Sequence, residues 1–134
     1  MNPNVIIGAI LGHFVGDYLL QNQWMAINKS KPGWLGHKAC TVHVLLYTLA
    51  VCLFTGVWSP LFTLVVALPH WLIDRRGVAW DWMRLKNGFS YDFKGRLYTC
   101  TEDVWSIAFA APVYIMNDNT MHFVCLWLAA RYLA

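Results

Sequence analysis

Charge is scarce in this sequence. Asp, Glu, Lys and Arg together make up 13% of its 134 residues, about half of the roughly 25% usual in soluble domains. So little charge argues against a freely soluble domain. It also argues against a nucleic-acid partner, which needs a dense basic footprint. Cysteine is sparse as well: Cys40, Cys52, Cys100 and Cys125 are scattered, with no Cys-x-x-Cys pair. That excludes a zinc knuckle and a disulfide framework. The opening Met1-Asn2-Pro3-Asn4 carries no basic stretch, and no small-residue cleavage site follows. The first apolar segment is therefore expected to be retained rather than cleaved as a signal peptide.

What the chain does have is apolar and aromatic mass. Hydrophobic residues reach 58%, with eight Trp and six Tyr, and the mean hydropathy is +0.44. Amphipathic rings in such numbers belong at bilayer interfaces. The length predicts one domain, 1–134. The expected fold is all-α, a polytopic transmembrane bundle of about five helices, at 5–21, 39–56, 61–74, 103–116 and 121–133. Polar connections are expected at 22–38 and 75–100, the first with a Lys-Pro-Gly turn signal. An amphipathic helix around Trp80 to Leu85 would lie along the membrane surface. Asn117-Asp118-Asn119 reads as a turn. Nearly all Lys and Arg fall in the two connections, between Lys29 and Lys38 and between Arg75 and Arg96. By the positive-inside rule both are cytoplasmic, which predicts an inner-membrane protein with its N-terminus outside and its C-terminus inside. Gly8, Gly12 and Gly16 recur every four residues, a face on which a second helix, or a second copy of the chain, can approach closely.

Within the apolar segments stand two His-x-x-x-Asp pairs, His13/Asp17 and His70/Asp74. Four residues apart on a helix, each pair shares one face. Such groups in apolar surroundings are costly unless they satisfy one another or hold an ion. Either pair alone is explained by a hydrogen bond. With His43 near the start of the second helix and Asp103 at the start of the fourth, however, polar groups from four helices fall at one depth. Imidazole with carboxylate favours a divalent transition metal, zinc first and manganese or iron next, as one ion or as two sharing a carboxylate. His13, Asp17, His43, His70 and Asp74 are the expected ligands. Asp103 is a ligand, a general base or only a favourable charge at a helix N-terminus. Arg75 and Arg76 beside the site can hold a phosphate. His37 reads as an interfacial loop residue, and His122 as lying on the far side, outside the site.

The run His13-x-x-Gly16-Asp17-x-x-Leu20-Gln21, then Trp24-Met25-Ala26 and Lys29, resembles the opening of domain-of-unknown-function family 3307, small bacterial and phage membrane proteins. His43 and His70-Trp71-Leu72-Ile73-Asp74-Arg75 continue the resemblance. Such proteins often show a later Asp-Gln-x-x-His motif. Its place here is read at Asp103, where the Gln and His are missing. The family is similar in pattern to inner-membrane proteins labelled metal-dependent hydrolases. The resemblance thus implies hydrolysis of an ester or phosphoester, of a lipid or lipid-linked substrate, at the cytoplasmic face. Two other functions compete. One is a non-enzymatic protein that binds a partner through residues 75–100; the other is a metal or proton transporter, for which the outer helix halves offer little polar path.

Overall fold

Three polar side chains start helices in this chain. Asn2 accepts from the backbone N–H of Asn4 at 3.0 Å, Asn22 from that of Met25 at 3.0 Å, and Ser59 from that of Phe62 at 3.1 Å. Each supplies an acceptor that a first helical turn lacks. Pro3 and Pro60 follow their caps directly, where the missing N–H costs nothing. In the computed structural model, residues 2–87 and 104–134 are described, with side chains over 2–86 and 111–134. Among them the protein is all helical. The helices are α1 (Pro3–Phe14), α2 (Gln23–Asn28), α3 (Trp34–Thr55), α4 (Pro60–Arg76), α5 (Val78–Asn87) and α6 (Val104–Leu133). A π-helical stretch, Val15–Leu20, continues α1. α4 runs through Pro69 without a break and ends at Gly77, whose φ of +66° is a left-handed stop.

The four long helices pack in a ring, α1 against α3, α3 against α4, α4 against α6 and α6 back against α1. Close approach of α1 to α3 depends on glycine. A Cβ on Gly12 would stand 2.6 Å from the Val51 Cα, and one on Gly16 would stand 2.7 Å from the Tyr47 ring. The glycine face expected to receive a second copy is thus used within the chain, by α3. One half of the ring's interior is apolar, with Ala9, Val51, Phe62, Val66 and Leu126 in a single cluster. The other half is polar: His13, His43, His70 and His122 are each 2% exposed or less.

The outside is the reverse. Ile7 and Phe14 on α1, Leu45 and Leu53 on α3, Leu64 and Leu68 on α4, and Val124 and Leu128 on α6 are all exposed. Exposed apolar surface on this scale marks an interaction or membrane surface. Among the described residues, two helices are long and apolar enough to cross a membrane, Pro3–Leu20 and Trp34–Thr55.

Two expectations change and a third is met in part. The connection 22–38 holds a helix, α2, and α3 begins already at Trp34. The helix expected around Trp80 to Leu85 is present as α5, whereas the rest of that connection, 88–103, lies outside the described residues. Most importantly, the turn at Asn117-Asp118-Asn119 does not exist: α6 is one 30-residue helix through it. Without glycine or proline the triplet has nothing to force a stop. Its polar side chains are there because they face the ring's interior.

Candidate metal centre

Each long helix carries the polar layer on one stripe of positions four residues apart. The stripe is Ala9, His13 and Asp17 on the first; Val51, Tyr47 and His43 on the second; Val66, His70 and Asp74 on the third; and Leu126, His122 and Asp118 on the fourth. At 3.6 residues per turn these positions stay on one face. The packed ring brings the four polar ends to one place.

There the distances are short. His43 Nε2 stands 3.0 Å from His70 Nε2, 3.1 Å from Asp74 Oδ2 and 3.2 Å from Asp17 Oδ1. His70 Nε2 is 3.3 Å from Asp74 Oδ2 and 3.6 Å from Asp17 Oδ1. His122 Nε2 is 3.6 Å from both Asp74 Oδ1 and Asp118 Oδ2. The His122 ring stacks on that of His70, centroids 4.0 Å apart, and the Tyr47 ring lies 3.7 Å from the same imidazole. Donor atoms bonded at about 2.0–2.2 Å to a common ion stand roughly 3.0–3.5 Å from each other. The His43–His70–Asp74 spacings match that edge length.

Among the described residues, three triads can therefore hold an ion: Asp17–His70–His122, His43–His70–Asp74 and Asp74–Asp118–His122, each with its donor atoms within 4.8 Å. The layer leaves buried atoms without a hydrogen bond, among them Asp17 Oδ1, His43 Nδ1, His70 Nδ1 and His122 Nε2. Native interiors leave few such orphans, because each costs about 1–3 kcal/mol. A bound cation would satisfy two of them directly, the Asp17 oxygen and the His122 nitrogen.

His13 lies beside the triads rather than in one. Asn119 donates through Nδ2 to the Tyr18 hydroxyl at 2.7 Å, which turns its Oδ1 toward His13 Nε2, also at 2.7 Å. His13 Nε2 is then the protonated nitrogen. Its Nδ1 accepts from the Tyr47 hydroxyl at 3.2 Å, with Asp17 Oδ2 at 3.4 Å. Both ring nitrogens are thus engaged within the chain, by Tyr47 and Asn119.

Lys29 enters the layer from the end of α2, its Nζ 2.8 Å from Asp74 Oδ2. Burial works against the ammonium, but the Asp74 and Asp17 carboxylates outweigh it and hold its pKa above the ordinary 10.5.

Of the residues expected from sequence, the structure joins Asp17, His43, His70 and Asp74, with His13 alongside. Asp103 lies outside the described residues. Arg75 donates to the Ser30 carbonyl at 3.3 Å. It lines an open cleft of about 1020 Å³ with Arg76, Lys31, His37 and Trp71. No triad residue lines that cleft, but Trp71 and Arg75 directly follow His70 and Asp74. His37 is exposed there and stacks on Trp71.

The placing of His122 is reversed. It is buried at 1% exposure in the centre of the layer, because the helix that carries it has no turn before it. Asp118-Asn119-Thr120-Met121-His122 supplies the Asp-x-x-x-His spacing that seemed missing at Asp103, with Asn in place of Gln. The signal was the same i, i+4 rule that picked out the other two pairs.

Residues 5–133 match the model of a family described as "Protein of unknown function (DUF3307)". No curated protein matches the chain, and no solved structure does.

Proposed function

The chain belongs to the DUF3307 family, whose description assigns no activity, and we propose from its own geometry that it is a membrane-embedded, metal-dependent hydrolase of phosphoesters. The observation that carries this reading is the convergence of three His/Asp triads from four helices, one of them fully buried and the others buried but for one member, with donor atoms left unpartnered. A structural hydrogen-bond network would have closed on itself. A divalent ion in such a set supplies Lewis acidity and lowers the pKa of a bound water to about 7. Imidazole with carboxylate suits zinc, with manganese and iron as alternatives.

The chain's own groups do the rest. Asp17, His43, His70 and Asp74 hold the ion, and Lys29 offsets the carboxylate charge. The cleft of Lys31, Arg75 and Arg76 offers guanidinium forks that suit a phosphate. It is one residue away in sequence from two ligands. An apolar exterior around that cleft favours a lipid or lipid-linked substrate, presented on the face that the basic segments mark as cytoplasmic.

Elemental mass spectrometry on detergent-purified protein tests the first half, comparing wild type with His70→Ala and Asp17→Ala. Metal at one or more ions per chain, lost from the variants, is expected. The second half is tested by turnover of bis(p-nitrophenyl) phosphate and of a phosphatidyl lipid in mixed micelles. Metal-loaded protein that hydrolyses neither ester defeats the hydrolase reading.

A further inference from the structure

We infer that the polar layer is built for two divalent cations that share the Asp74 carboxylate, one held with His43 and His70 and the other with Asp118 and His122. This rests on the metal-binding reading above and goes beyond it in the number of ions and the residues that hold the second.

The donor atoms are too spread for one ion. Ligands at about 2.0–2.2 Å from a single cation all lie within roughly 4.4 Å of each other. Here the donors divide into three overlapping triads rather than one group. Asp74 is the hinge of that division. Its Oδ2 faces His43 and His70, at 3.1 and 3.3 Å, and its Oδ1 faces His122, at 3.6 Å. The two oxygens of one carboxylate thus serve two different sets, the arrangement that places a pair of metals about 3.5–4 Å apart. Each carboxylate oxygen has two lone pairs, so the Lys29 ammonium at 2.8 Å on Oδ2 leaves one for the first ion.

An independent observation comes from the second half. His122 is 1% exposed, and its Nε2 has no hydrogen-bond partner. It points between Asp74 Oδ1 and Asp118 Oδ2, 3.6 Å from each. A buried nitrogen that faces two carboxylates at 3.6 Å without closing a hydrogen bond to either is accounted for by a cation among the three.

The count of charge then bears on the substrate. Asp17, Asp74, Asp118 and Lys29 leave the layer two charges negative. Two divalent cations make it two charges positive, and a buried excess of that size calls for an anionic ligand such as a phosphate ester.

The experiment is metal counting on the full chain in detergent, after equilibration with zinc, joined by electron paramagnetic resonance of the manganese-loaded protein. Two ions per chain are expected, with an exchange-coupled manganese signal. Asp118→Asn, which keeps volume, and His122→Gln, which nearly does, are each expected to bind one ion with the coupling lost, and Asp74→Asn to lose at least one. Folding of each variant is checked by circular dichroism and gel filtration; the wild-type count decides even where a variant does not fold. One ion in the wild type overturns the shared centre but leaves a metal protein. No ion overturns both. Two ions without coupling, or two retained in a folded Asp118→Asn, refute the Asp74 bridge.

Discussion

Replacing Lys29 with methionine removes the ammonium that faces Asp74 and keeps most of the apolar stem. The Nζ–Oδ2 distance is 2.8 Å, with the two side chains 16% and 1% exposed. At that separation an effective dielectric of about 20 gives an attraction of roughly 6 kcal/mol. Desolvation of both groups offsets part of it, and removal of one partner from a buried pair costs about 3–5 kcal/mol because the other charge is stranded. The metal-free protein is therefore expected to lose about 3–5 kcal/mol in Lys29→Met. Because the carboxylates raise the Lys29 pKa above 10.5, this contribution is fully present at neutral pH. It fades only as pH rises beyond the folded-state value. With saturating zinc the penalty should shrink, since a cation on Asp74 takes over part of the neutralisation, and by linkage the variant should bind metal more tightly. Equilibrium unfolding in mild detergent, with chelator and with zinc, reads both numbers. A loss below about 1 kcal/mol with chelator, or the same loss with and without zinc, would mean that Lys29 and the ion do not act on the same carboxylate.

Three more perturbations separate packing, substrate binding and ligation. Gly12→Leu forces a side chain into the Val51 backbone and is expected to cost at least the 1–3 kcal/mol typical of overpacking; Leu45→Phe on the exposed face of α3 should leave the unfolding midpoint unchanged. If Gly12→Leu were equally silent, the α1–α3 contact would be wrong. Arg75→Ala with Arg76→Ala should raise KM for a phosphodiester severalfold while metal content and kcat hold; a fall in kcat alone would remove the cleft from substrate binding. Metal affinity should fall as pH drops, because ligating histidines must be neutral. An affinity that stayed constant from neutral pH to pH 4 would speak against histidine ligation.

Most of the site is legible in residue spacing, because a helix converts an interval of four into a shared face. His13 with Asp17 and His70 with Asp74 stand out for being ionisable inside apolar runs. His43 stands out for its depth. Lys29 is not legible. It sits on a short polar connection, and nothing in the sequence says that α2 folds the connection back against Asp74. Nor does spacing reveal that His13 spends both nitrogens on Tyr47 and Asn119. Both facts depend on which helices neighbour which, a property of the ring rather than of any segment.

The fourth helix shows where the same rule was available and a stronger local signal hid it. Asn-Asp-Asn is turn chemistry when its side chains bond their own backbone, and a break there would have put His122 on the opposite side of the bundle. In α6 the second and third of those side chains face partners elsewhere. Asn119 is committed to His13 and Tyr18, and Asp118 lies against His122. A helix interior tolerates Asn and Asp once tertiary partners take the groups that would otherwise compete for the backbone. Leu126, His122 and Asp118 then repeat, in the antiparallel direction, the stripe of Val66, His70 and Asp74. In an apolar segment a polar triplet without glycine or proline is thus ambiguous between a turn and a functional stripe. An ionisable residue four positions away, on the face that the triplet would present, decides for the stripe.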